Sequence, residues 1–286
     1  MSVLIGAAIV LAAVLGGFVL SHGELVALWQ PFELLIILGA SGGAFIIANP
    51  VSVTLGTFKQ IPNLFIGKNY SKVLYLELLA LFYQLFNIIR REGLIAVERH
   101  IEDPETSEVF TRFPEVIRDP HVLEFICDYL RLMVIGDMTS YELENLMDIE
   151  LETHHHEQSA PSLALVKVAD ALPGFGIVAA VLGIVITMGA LGGPPEELGL
   201  HVAAALVGTF LGILIAYGFV APTATALESM VSEEAKFYEC MKVCILATIN
   251  GMPPQIAVEF GRKTLYSKVR PSFYELEQCV KGGRSF

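Results

Sequence analysis

Four stretches of this chain are apolar and hold no Asp, Glu, Lys or Arg: residues 1–23, 34–58, 171–195 and 198–227. A helix needs about 20 mostly apolar residues to cross a bilayer, so each window has room for one span. The pattern places the spans near residues 3–20, 34–48, 172–190 and 202–220. The long polar block between the second and third windows has its own periodicity. Leu74, Leu78, Leu81, Leu85 and Ile88–Ile89 form a helical stripe that predicts a helix over 71–91. Shorter helices are predicted at 94–101, stopped by Asp103-Pro104, and at 121–135 and 139–152. The last opens on Thr139-x-x-Glu142, the spacing of a capping box. The fourth span is expected to continue inward to Ile249 and to break at Asn250-Gly251-Met252-Pro253-Pro254. No strand alternation and no repeat is present. The fold class is therefore an all-α integral membrane protein, with four transmembrane helices and a helical cytoplasmic domain built from the 2–3 loop and the C-terminal tail. The expected division is 1–50 (spans one and two), 51–170 (cytoplasmic), 171–222 (spans three and four) and 223–286 (cytoplasmic tail).

Composition agrees with a membrane class. Of 286 residues 54% are hydrophobic and the mean hydropathy is +0.61, values a soluble domain of this length rarely reaches. The first window lacks a basic n-region and a small-x-small cleavage site, so it reads as a span and not as a cleaved signal. All 18 Lys and Arg lie within 51–170 or after the fourth window, and the short connections 21–33 and 191–201 have none. Basic residues stay cytoplasmic, which puts both termini inside. A net charge of −12, mixed in sign, argues against nucleic acid and suits a protein partner. The four cysteines form no CxxC pair and face the reducing side, so disulfides are not expected. Cys240 and Cys244, four apart on a helix, read as packing. His154-His155-His156 sit in a polar stretch, 152–161, that reads as a linker. Neighbouring helical side chains point about 100° apart, so three adjacent histidines cannot share one ion; a solvated linker or weak adventitious metal binding remain.

The third span carries small residues on one face, at Gly176, Ala180, Gly183, Thr187 and Ala190. The fourth repeats this at Ala205, Thr209, Gly212 and Ala216, and the second has Gly39-x-x-x-Gly43. Such faces let helix backbones approach closely in lipid. They pack the four helices together, or they line a lumen that holds a partner helix. Thr187 and Thr209 are the only hydroxyls deep in these two spans. Each can hydrogen-bond a carboxylate or water supplied from outside the chain, or its own i−4 carbonyl. Pro173 reads as a first-turn proline. Pro222 falls where the helix runs on, and there it should make a kink. Asp170 is a boundary carboxylate that could receive a departing proton or simply start the helix. A mixed charge cluster, including Arg90 and Glu98, surrounds the break at Gly93 and is either solvated surface or an electrostatic docking face. Membrane bundles that move ions normally carry an ionisable core group. Spans three and four have no carboxylate, Lys or Arg, so the carrier is expected on another chain.

The segments 172–180 (LPGFGIVAA) and 207–214 (VGTFLGIL, followed by Ala216-Tyr217-Gly218) resemble the spans of the flagellar stator family MotA, within the MotA/TolQ/ExbB group. The segments 98–104 (ERHIEDP) of the cytoplasmic block and 257–266 (AVEFGRKTLY) and 270–273 (RPSF) of the tail resemble the same family. The resemblance covers nearly the whole chain. It implies no enzyme activity and no cofactor, with H⁺ as the transported ion. It implies a ring, understood as a pentamer, in the bacterial inner membrane around a single-span MotB-like partner whose membrane aspartate carries the ion. It also implies that the ring pushes on the rotor protein FliG. By the same resemblance Arg90 and Glu98 face FliG, Pro173 and Pro222 couple ion flow to movement, and Ala180 and Thr209 lie beside the partner's aspartate. Sodium-driven relatives tend to carry Thr where this chain has Ala180; small hard cations want several oxygen ligands, which favours protons here. The alternatives are an ExbB/TolQ-like energy-transducing subunit, against which four charge-free windows argue, and a sodium-driven stator.

Overall fold

A computed structural model describes residues 2–66, 70–189, 192 and 194–282. In chain order the helices are α1 (Ser2–Leu20), α2 (Pro31–Ala48), α3 (Val51–Ile66), α4 (Lys72–Glu92), α5 (Ile95–Glu102), α6 (Pro114–Ile117) and α7 (Pro120–Ile135). They are followed by α8 (Ser140–Gly189), α9 (Pro195–Ile215), α10 (Ala221–Ile249), α11 (Pro254–Thr264) and α12 (Phe273–Gly282). A π-helical turn, Ala216–Val220, joins α9 to α10. There is no strand among the described residues. The chain divides into two compact units, one of Met1–Lys68 with Gln158–Met230, the other of Asn69–Glu157 with Val231–Phe286. The first unit also takes in 51–68 and 158–170, which the charge pattern groups with the polar block.

The element ends follow local chemistry. The Ser71 hydroxyl accepts from Leu74 N (3.3 Å) to open α4, and Gly93, at φ +89°, closes it. At the start of α8 the Thr139 hydroxyl accepts from Glu142 N (3.2 Å) while Glu142 accepts from Thr139 N (2.8 Å), so the capping box is formed. Gly251, at φ +79°, ends α10, and Pro254 at the first position begins α11. Two sequence expectations are corrected. The polar stretch 152–161 is not a linker but part of α8; its Thr, His, Ser and Pro are weak helix formers, and contacts of His154 with Glu234 and Tyr238 hold it. Pro173 is not a first-turn proline; it lies inside α8, as does Pro161. There it cannot supply the N–H that would bond to the carbonyl of Ala169. Helix α3 was not expected at all, because its run crosses from the charge-free window into charged sequence and contains Pro62.

Among the described residues five helical stretches are long and apolar enough to cross a membrane, four of them matching the charge-free windows. The fifth is α4, and 56% of it is buried inside the protein, against none of Val3–Leu20. Its Tyr75, Leu78, Leu79, Leu81, Phe82, Leu85 and Phe86 form the centre of the second unit, with α11, α5, α12 and α6 packed around them. Burying each such side chain contributes about 1.5–3 kcal/mol, so α4 finds within the protein the apolar surroundings that α1 and α2 lack. All four cysteines are reduced and buried. Burial pushes the Cys127 and Cys279 thiols up to about 11, which leaves them inert at neutral pH.

The histidine run has one structural member. His154 Nε2 lies 3.2 Å from Glu234 Oε1, and its ring packs at 4.9 Å on Tyr238. The hydrogen bond to Glu234 raises the imidazole pKa above its ordinary value against the opposing effect of burial, with Glu157 and Glu150 adding to the rise. A raised folded-state pKa means that this pair stabilises fully below the unfolded value of about 6.5 and that its contribution fades as pH rises through the folded value. Glu234→Gln keeps an acceptor but removes the charge. It is expected to cost about 1 kcal/mol in mildly acidic buffer and nothing in alkaline buffer, as read from thermal unfolding of the detergent-solubilised protein at several pH values. An equal loss at every pH would contradict the assignment.

Candidate functional site

The site lies within the first unit, where the second half of α8 crosses α9. The small residues there make the contact. A Cβ added to Gly176 would stand 3.1 Å from the Gly208 carbonyl oxygen and 3.3 Å from Thr209 Cα. One on Gly212 would stand 2.8 Å from the Leu172 carbonyl oxygen, and one on Gly183 2.9 Å from Ala205 Cβ. The two backbones therefore touch from Leu172 to Gly183, which only glycine and alanine permit. Of the two sequence readings of the small faces, packing is what Gly176, Gly183 and Gly212 do. Gly39 and Gly43 of α2 face nothing within 4 Å in this chain. Ala190 lies outside the described residues.

The expected site residues divide accordingly. Ala180 and Thr209 come to one level of the crossing: Gly176 abuts Thr209 Cα, and the Ala180 amide nitrogen is 3.6 Å from the position a Gly208 Cβ would take. Both are partly exposed, and the Thr209 hydroxyl makes no hydrogen bond among the described residues. Thr187 sits farther along α8, 7% exposed, and its hydroxyl donates to the Gly183 carbonyl (2.8 Å). Its proton is thus spent within its own helix, although the oxygen can still accept. Pro173 is three residues from Gly176 on the same helix, and exposed Asp170 precedes it by three more. Pro222 is exposed in the first turn of α10, just after the π-helical turn. Prolines and π-turns are the common causes of helix bends, and here the two coincide. Thr223, next to Pro222, donates its hydroxyl to the Phe219 carbonyl (2.7 Å).

Arg90 and Glu98 belong to the second unit and are remote in sequence from this crossing. Arg90 stands in the last turn of α4 and Glu98 in the first turn of α5, on either side of the Gly93 turn. Both are exposed, and neither takes part in an ion pair among the described residues, whereas neighbouring Arg99 approaches Glu92 at 3.9 Å. Exposed Ile95 lies between them. Among the described residues no group of three His, Cys, Asp or Glu side chains could hold a metal ion.

One polar residue escaped the sequence reading. Glu33 falls just outside the charge-free window, yet it lies in the first turn of α2 with its Cγ 3.5 Å from the position a Gly208 Cβ would occupy. Its Oε2 is buried and has no hydrogen-bond partner among the described residues. The available signal was a lone acid in the otherwise apolar run Leu25–Ala48.

Comparison with known proteins bears on this architecture. The family described as motility protein A N-terminal matches residues 4–93, and the MotA/TolQ/ExbB proton channel family matches residues 121–240. Motility protein A of Salmonella typhimurium is 49% identical over 285 residues, spanning 100% of this chain and 97% of that protein. The fold is shared with the MotAB structure from C. jejuni, at a TM-score of 0.79 and 19% identity over 95% of this chain and 98% of that one. The flagellar MotAB stator complex from Bacillus subtilis aligns at a TM-score of 0.68 and 27% identity, over 90% of this chain and 92% of that one. An all-helical fold with several membrane-length helices, a glycine-lined crossing without a charged residue, and near-half identity from end to end lead to one conclusion: the chain belongs to the motility protein A family, a stator subunit of the flagellar motor and not an enzyme.

Proposed function

We propose that this chain forms a ring around a MotB-like single-span partner and that a membrane aspartate of the partner carries H⁺ past the level of Ala180 and Thr209. The observation that carries the reading is the composition of the crossing. Residues 171–189 of α8 and 198–215 of α9 hold no carboxylate, Lys or Arg, so they supply no carrier of their own. The B. subtilis relative was solved as a complex with its B subunit. The ring is pentameric, lies in the inner membrane with four spans (α1, α2, the second half of α8, and α9) and keeps both termini in the cytoplasm. No cofactor is required. Arg90 and Glu98 meet the rotor protein FliG, and Asp170 receives protons at the inner boundary.

The physical cycle follows from solvation. A lone carboxylate in a low-dielectric bundle is costly when ionised. Taking a proton from outside neutralises it and lets it face an apolar wall; losing the proton inward restores the charge and changes which wall it prefers. Each elementary charge contributes about 2.3 kcal/mol per 100 mV, only a few times thermal energy, so the ring advances in many small steps. Pro173 inside α8 and Pro222 beside the π-helical turn are the bends through which each step moves the helices. Ala180 adds no oxygen ligand, which favours H⁺ over Na⁺.

Single-motor speed in cells carrying the chain and its partner tests this. Speed is expected to follow the proton gradient and voltage, to vanish with a protonophore, and to be unchanged when external Na⁺ is replaced by K⁺. Loss of rotation on Na⁺ removal would establish the sodium alternative. Proton transport at full rate by the chain reconstituted without its partner would refute the borrowed carrier.

A further inference from the structure

The membrane crossing lacks a charged residue, but the helix packed against it brings one. Glu33 occupies the third residue of α2, counted from Pro31. A carboxylate at that place ordinarily reaches back to the N-cap amide as half of a capping box. Here the N-cap is Gln30, no such bond forms, and Glu33 Oε2 is buried without a partner. The side chain instead leans on α9 at Gly208. A Cβ on Gly208 would stand 3.5 Å from Glu33 Cγ, 3.3 Å from the Ala179 methyl and 3.6 Å from the Ala180 amide nitrogen. The Glu33 Cγ, the Ala179 methyl and the Ala180 amide nitrogen thus surround the space that the missing Gly208 side chain leaves. A carboxylate oxygen buried without a hydrogen-bond partner is a costly arrangement, and Glu33, itself partly buried, has one. An acid retained in such a place within a membrane segment points to function and not to packing.

We propose that Glu33 is a proton-handling group of the ion path, resting on the reading of that path given above. It accepts a proton from the outer aqueous phase beside Gly208 and releases it toward the Ala180–Thr209 level. There the partner's carboxylate receives it, directly or through a water. One O–H bond forms and one breaks in each transfer, and Glu33 returns to its starting carboxylate. The route gains a second titrating site that the chain itself provides. Its titratable neighbours on the packed elements are few. Helix α9 carries Glu196, Glu197 and His201 toward its start, α3 carries Lys59, and residues 171–189 of α8 carry none. Glu24 precedes the short helical turn Leu25–Leu28. None of the described groups among these bonds to Oε2.

The test uses the full chain with its partner in cells and compares Glu33→Gln and Glu33→Asp with the unchanged protein. Motor occupancy by a fluorescent partner reports assembly, and single-motor speed is recorded from acidic to alkaline external pH at fixed voltage. Glu33→Gln is expected to assemble at normal occupancy, to turn about tenfold more slowly or worse, and to lose most of its dependence on external pH. Glu33→Asp is expected to keep a pH-dependent speed with a displaced midpoint. Wild-type speed and pH profile in Glu33→Gln would overturn the proposal. So would failure of Glu33→Gln to assemble together with an unshifted profile in Glu33→Asp, which is the signature of a structural residue. If the unchanged protein ignores the proton gradient, the ion-path reading itself falls, whatever the variants do.

Discussion

Gly212→Val is expected to abolish rotation, because it forces α8 and α9 apart at the point where they touch backbone to backbone. Even the first added carbon would lie 2.8 Å from the Leu172 carbonyl oxygen and 3.0 Å from Gly176 Cα. Neither is a flexible side-chain end, so relief needs a shift of a whole helix. Overpacking of this kind costs typically about 1–3 kcal/mol for small additions. Valine, branched at Cβ, adds more bulk at the same contact. The displacement reaches Thr209, less than a turn from Gly212, and with it the geometry opposite Ala180. A graded outcome is expected: Gly212→Ala lowers the unfolding temperature of the solubilised protein and slows the motor, and Gly212→Val stops it. Gly174→Ala is the control, since nothing lies within 4 Å of a Cβ at Gly174, a few residues away on the same helix pair. Gly174→Ala should not lower the unfolding temperature, since alanine is the better helix former. Normal unfolding and rotation in Gly212→Val would show that the close approach at Leu172 is not needed.

The second large effect is expected at the other unit and has a different character. Reversing Arg90 to Glu, or Glu98 to Lys, should impair rotation severely while leaving insertion and assembly of the subunit unchanged and thermal unfolding nearly so. Both side chains are exposed and have no ion-pair partner among the described residues, so their charge adds to the fold no more than the small helix-end contribution of a cation in a last turn and an anion in a first turn. Surface charges of this kind contribute little to stability. At an interface they steer encounter and penalise wrong partners, and a like-charge pair placed face to face costs several kcal/mol. A loss of about tenfold or more in motor torque with unaltered unfolding is therefore the signature of docking. Reversal of the neighbouring Arg99 is a useful contrast, because Arg99 is already engaged with Glu92 at 3.9 Å and with His100. A fall in unfolding temperature in Arg90→Glu equal to its functional loss would assign the residue to the fold.

These two predictions separate the two kinds of residue in the chain. In the proposed reading the crossing of α8 and α9 acts through shape, since its glycines set how closely the two backbones approach, and the Arg90–Glu98 face acts through field and needs only to be present on a rigid surface. The α4 C-terminus, closed by Gly93 at φ +89°, and the short α5 provide that rigidity, with Val97 and Ile101 anchoring α5 in the core while Glu98 points outward.

The sequence by itself determined the membrane class, the places of the apolar windows and the boundaries at Ser71, Gly93, Thr139 and Gly251. These depend on composition and on local backbone chemistry, which act over a few residues. It also determined that spans three and four carry no acidic residue. Only the tertiary structure decided that 152–161 is helix, because His154 is held there by Glu234, eighty positions away. The same holds for α4, which reads as membrane-length by hydropathy but is enclosed by helices from the far end of the chain. The choice between packing and lumen for Gly176, Gly183 and Gly212 also needed the crossing, since spacing shows which residues share a face and not what that face meets. Glu33 is the clearest case. Its position at the edge of a window was plain, but its carboxyl became informative only when α2 was seen to pack it against Gly208, with a buried oxygen that no described residue satisfies.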